Sequence, residues 1–134
     1  MMAKSIPQSG QAGLVVFAKS VKKLSAFYIR TLGLEVLESA RSHQLLRGNG
    51  YEVVVHAIPT KYAREIQISK PPVLREDSAM KPSFVVPDLA ALRLAVVATG
   101  GWLKPEEMAW TIRGHKVLDG CDPEGNILQF KQKL

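Results

Sequence analysis

The sequence predicts an α+β fold in which one β-α-β-β-β order of elements occurs twice within 134 residues. Two openings carry that expectation, at 13–33 and 83–101, each an apolar strand-length run followed by a helical pattern that stops at glycine. Each opening is followed by short apolar runs separated by turn residues, and a stretch with three prolines, 59–80, lies between the two halves. The length suits one compact unit of two small modules sharing a core, not two independent domains.

In the first half, 13–19 (GLVVFAK) is β-branched and apolar, as a strand requires. Ser20 is a good N-cap, Val21, Leu24, Tyr28 and Leu32 recur at helical spacing, and Gly33 suits the position just past the helix end. The runs LEVLES, HQLLRG and YEVVVHAI then read as three strands, the last two joined through Gly48-Asn49-Gly50. Module one therefore spans about 13–58, and 59–80 is an irregular link with one short helix or strand.

The second half repeats the order over about 81–132. SFVVP (83–87) is a strand, Asp88 caps a helix whose Leu89, Leu92 and Val96 share a face, and Gly100-Gly101 stops it. Short strands are expected around Trp102, over 110–118 and over 126–131, the last entered through a turn made by Asp122, Pro123, Gly125 and Asn126. A β-α-β-β-β unit cannot cover both faces of its sheet alone, so two such units pair, within the chain or across a homodimer.

Composition narrows the class. A hydrophobic fraction of 46% with 22% charged residues is that of a soluble globular protein. The most apolar stretch, 89–98, is about half a membrane span and contains Arg93. The first dozen residues, expected to be mobile, hold no apolar core of signal-peptide length, so the expected compartment is the cytoplasm. The lone Cys121 cannot form an internal disulfide or a multi-cysteine zinc site, and reads as a small residue beside a turn. Eighteen basic against twelve acidic residues give a net charge of +6, which favours anions. The basic residues are scattered and no nucleic-acid-binding signature accompanies them, so nucleic acid is not an expected partner.

Three stretches carry a resemblance: LSAFYIRTLGLEV (24–36), FVVPDLAALRLAVVATGG (84–101) and HKVLDGCDPEGNILQF (115–130). Together they resemble the vicinal oxygen chelate superfamily, the group of glyoxalases, bleomycin-resistance proteins and extradiol dioxygenases, over about 13–132. The resemblance implies paired modules whose mixed sheets curl into a cup with the helices outside. It also implies metal-ligand positions early in the first and fifth strands and late in the fourth and eighth, which fall on Gly13, Lys81, His56 and Gln129. Gly13 offers no side chain and Lys81 would have to lose its proton. His56 with Gln129 is too sparse for a tight Zn²⁺ or Fe²⁺ site, so no metal or other cofactor is expected.

The candidate binding residues are His56, Gln129, Trp110, Lys81 and Glu52, and no catalytic residue is assigned. By alternation Gln129 faces away from Leu128 and Phe130, where its amide can donate and accept; the bland alternative is a satisfied buried polar group. His56 ends an apolar run, where a hydrogen-bonded strand-end histidine is the leading reading and a ligand contact the alternative. Trp110, which stands where the resemblance implies an aromatic lining the cup, is preferred to Trp102 as a contact, though packing is the more frequent role of either. Lys81 either holds a carboxylate or phosphate or is a solvated lysine before Pro82. Glu52 shares a strand face with Val54 and His56. His43, His115, Glu106, Glu107 and Asp119 read as surface residues.

The leading expectation is a metal-independent binding protein for an acidic or planar small molecule. The alternative is a metal-dependent lyase, isomerase or dioxygenase with a degenerate ligand set, or a metal-free enzyme using His56 as acid-base residue. Sequestration of a cationic drug is disfavoured by the positive charge, and nucleic-acid binding rests on that charge alone.

Overall fold

The computed structural model describes residues 11–134, so most of the expected mobile N-terminal dozen lies outside the described residues. Module one runs β1 (Ala12–Ala18), α1 (Val21–Leu32), β2 (Glu35–Ser39), β3 (His43–Gly48) and β4 (Tyr51–Ala57). The Ser20 hydroxyl accepts the Lys23 N–H at the start of α1, and Gly33 ends it in the left-handed region at φ 66°. The Asn49 side-chain amide donates to the Leu32 carbonyl at 2.8 Å, so the β3–β4 turn closes the helix end. Asn49 and Gly50, at φ 53° and 82°, form the two-residue turn that matches strand twist.

The strands order as β1-β4-β3-β2, with β1 parallel to β4 and the other pairs antiparallel. A parallel neighbour needs a long crossover, and α1 supplies it. The connection after β4 holds one short helix, α2 (Thr60–Ala63), and is otherwise irregular up to β5.

Module two runs β5 (Ser83–Val85), α3 (Leu89–Ala98), β6 (Trp102–Leu103), a 3-10 turn (Glu106–Met108), β7 (Trp110–Ile112), β8 (His115–Cys121) and β9 (Ile127–Lys133). One expectation fails here. The run 110–118 is not a single strand but a hairpin, because Arg113 and Gly114 turn the chain at φ 49° and 75°. Arg-Gly is a poor advertisement for such a turn, which favours Asn or Gly at its first position. Both β6 and β7 pair with β8, so they are one outer strand interrupted by the 3-10 turn. The order β5-β9-β8 followed by that broken strand therefore repeats the order of module one.

Alternation along the strands sorts the side chains. Val16, Ala18, Leu46, Val53 and Val55 of the first sheet, with Phe84, Leu118, Leu128 and Phe130 of the second, join α1 and α3 in one buried core. The helices meet closely, since a Cβ at Gly101 would lie 2.6 Å from the Phe27 ring. The two sheets adjoin without a ladder: the Val85 N–H of β5 donates to the Tyr51 hydroxyl of β4 at 3.0 Å, and the Tyr51 and Phe84 rings pack edge to face. The opposite face of each sheet carries no helix, and the polar residues of interest stand there.

Candidate functional site

Cross-strand pairing places Gly13, Val15 and Phe17 beside Glu52, Val54 and His56 on the open face of the first sheet. His43, Leu45 and Arg47 continue that face on β3. Glu52 is held by Arg47 at 2.9 Å. His56 Nδ1 lies 2.9 Å from the Ala57 carbonyl, so the neutral ring carries its hydrogen there and keeps Nε2 as acceptor. The His43 ring stacks on His56 with centroids 6.1 Å apart and is itself bonded to Glu38 at 2.6 Å. His43, expected to be a plain surface residue, is thus part of the His56 cluster.

The second sheet presents a tighter group. Asp119 on β8 stands directly opposite Gln129 on β9, and Gln129 stands opposite Ser83 on β5. The Lys81 ammonium lies 2.9 Å from Asp119 Oδ2, and the Ser83 hydroxyl donates to Gln129 Oε1 at 2.7 Å. Asp119 corrects the reading of it as a solvated carboxylate: it is 7% exposed, and its Oδ1 has no hydrogen-bond partner among the described residues. A buried acceptor without a donor costs about 1–3 kcal/mol, so the position invites one.

Both tryptophans flank this group. Trp110 stands opposite Val117 and Trp102 opposite Cys121, each two residues from Asp119 along β8 and on the same face. Both are 38% exposed, so nothing in their placement favours Trp110 over Trp102. The interrupted outer strand brings the two rings to the edge of one patch.

The five residues singled out from the sequence therefore fall into two groups. His56 and Glu52 lie on the first sheet, and Lys81, Gln129 and Trp110 on the second. No hydrogen bond or ion pair joins the groups among the described residues, although a groove of about 340 Å³ between β1 and β5 touches Gly13, Glu52, Lys81 and Ser83. Asp119 escaped the sequence reading because DGCDP is polar and turn-like; the available signal was that Asp119 shares its face with Val117 and Cys121.

The metal positions implied by the resemblance do not fit a metal. Gly13 has no donor atom, Lys81 is paired with Asp119, and among the described residues no three His, Cys, Asp or Glu side chains converge. Two perturbed ionisable groups, Asp122 and Tyr28, lie on the core side instead. Asp122 accepts from the Tyr28 hydroxyl at 2.7 Å, the Glu124 N–H at 2.9 Å and Asn126. Burial pushes the Asp122 carboxyl upward against these bonds and pushes the Tyr28 phenol up as well. Burial, then the neighbouring Asp122, raises the Cys121 thiol to about 11.

The fold has counterparts among solved structures. A dioxygenase-family glyoxalase/bleomycin resistance enzyme from Burkholderia phytofirmans superposes with a TM-score of 0.66 at 17% identity, over 93% of this chain and 99% of that one. The fold is that of the glyoxalase/bleomycin-resistance proteins. A glyoxalase/bleomycin resistance protein from Albidiferax ferrireducens matches at TM-score 0.62 and 18% identity, over 92% of this chain and 98% of that one. A fosfomycin resistance protein from Listeria monocytogenes matches at 0.64 and 13%, over 93% and 91%. No family model and no curated protein sequence matches the chain. The glyoxalase/bleomycin-resistance fold hosts many chemistries, so activity has to be argued from the open faces.

Proposed function

We propose that this chain is a metal-independent binding protein for a planar small molecule that carries an N–H or O–H donor, held on the open face of the second sheet. The unpartnered, buried Asp119 Oδ1 carries this reading. A ligand donor would satisfy it, with the Gln129 amide as neighbour and the two indole rings as apolar walls. Lys81 already neutralises Asp119, which favours a donor-bearing ligand over a simple anion at this point.

Two measurements test the reading. Elemental mass spectrometry on protein purified without a metal-affinity tag, before and after incubation with Zn²⁺, Mn²⁺, Ni²⁺ and Fe²⁺, is expected to find less than stoichiometric metal. A stoichiometric metal lost in His56→Ala or Gln129→Ala would sink it. A screen of planar heteroaromatic amides by thermal shift is expected to give hits whose stabilisation disappears in Asp119→Ala. Hits indifferent to Asp119 would place the ligand elsewhere.

We also propose that the working unit is a homodimer. Phe17 and Val15 are 61% and 58% exposed on the open face of the first sheet, apolar surface that a second copy would cover.

A further inference from the structure

A further hollow lies on the other side of the molecule from the open faces. It is a surface hollow of about 960 Å³, open to solvent and bordered by the outer surface of α1, the C-terminal end of α3, the 68–72 stretch of the connection and the β8–β9 turn. Its floor is apolar, made by Ala26, Ala98, Pro71 and Pro123, and it exists because small residues stand where larger ones would fill it. Lys23, Ala26 and Arg30 share one face of α1, so two cations bracket the apolar floor about 10 Å apart. Lys70 adds a third from the connection.

The charge balance at this cavity is one-sided. Glu124 is the sole acidic residue lining it, and its two oxygens already accept the backbone N–H groups of Lys19 and Ser20 at 2.8 and 2.9 Å. The Lys19 ammonium is engaged with the Ile66 carbonyl. Lys23, Arg30 and Lys70 form no ion pair among the described residues. An apolar floor with unpaired cations at its rim is complementary to a molecule with an apolar body and a negative head.

We infer that this helix-side cavity is a second ligand site, for an apolar carboxylate, independent of the open-face site. The carboxylate pairs with Lys23, Arg30 or Lys70, and the apolar body covers Ala26 and Ala98. The test uses 1-naphthoate and its neutral counterpart 1-naphthamide in an amide-resolved NMR titration of the full chain. Naphthoate is expected to shift the amides of Ala26, Ala98 and Thr99, and naphthamide to bind at least tenfold more weakly. The Lys23→Glu/Arg30→Glu pair is expected to raise the Kd at least tenfold. Ala26→Trp, at an exposed helix position that leaves folding intact, is expected to abolish binding by filling the floor. Trp110→Ala is expected to change nothing. The inference is overturned if the shifts map to β8 and β9, if Trp110→Ala removes binding, if the charge-reversal pair leaves the Kd unchanged, or if no shifts appear at millimolar naphthoate. Because the cavity shares no residue with the Asp119 patch, either site can fail while the other stands.

Discussion

Asp119 illustrates how much a single residue's role depends on its cross-strand neighbours. In the chain it is one of several carboxylates near a turn; in the fold it is buried between Lys81 and Gln129 with one oxygen unpartnered. Replacing Lys81 with Met is expected to destabilise the protein by about 2 kcal/mol in urea unfolding, because it strips a buried carboxylate of its counter-ion. Lys81→Met/Asp119→Leu is expected to recover most of that loss, since removing both partners leaves no orphaned charge. Cys121 provides a separate residue-scale test. Its thiol is fully buried and raised to about 11, so the native protein is expected to resist alkylation at pH 8 and to react once unfolded. Folded Cys121 holds its proton above its ordinary value of 9.0, so the native state binds more protons than the unfolded one between the two values. Stability is therefore expected to fall as pH rises from about 9 to about 11, and Tyr28, shifted in the same direction, adds to the slope. Urea midpoints flat across that window would contradict it.

At the scale of elements, caps and turns were legible where their chemistry is local. Ser20, Gly33, Asp88 and the Asn49-Gly50 turn were all readable because each acts on backbone groups within a few residues of itself. The β7–β8 turn was not, since Arg113 adopts a left-handed conformation that its own preferences do not favour. Arg113→Asn is accordingly expected to stabilise the hairpin by about 0.5–1 kcal/mol, read as a higher thermal midpoint. The β8–β9 turn was read as a turn but not as a tie between modules. Asp122 gathers Tyr28 from α1 together with Glu124 and Asn126 of its own loop, across 94 residues of chain in the case of Tyr28. Asp122→Ala leaves those donors buried and unpaired and is expected to cost about 3 kcal/mol, with Tyr28→Phe costing about half as much. Equal, negligible effects in both variants would remove the turn from the list of contacts that lock the modules together.

For the whole molecule, the helices hold the modules together and leave the outer sheet faces uncovered. Among the described residues no helix is long and apolar enough to cross a membrane. Light scattering coupled to gel filtration is expected to give about 29 kDa, twice the 14.7 kDa chain, and a Phe17→Glu variant is expected to shift the mass toward the monomer. A wild-type mass of one chain would leave the open face of the first sheet to small molecules alone. The sequence by itself determined the order of elements outside the 110–118 hairpin, both long helices with their caps, the repeat of β-α-β-β-β and hence the α+β class, because hydrophobic period and capping chemistry act over a few residues. Tertiary structure alone decided that Lys81 meets Asp119 across 38 residues, that Trp102 stands level with Trp110 at one patch, and that α1 and the 68–72 stretch border a hollow with cations at its rim. Those juxtapositions are set by register and by the packing of two modules on one core, and no local pattern in the chain encodes where a distant strand comes to lie.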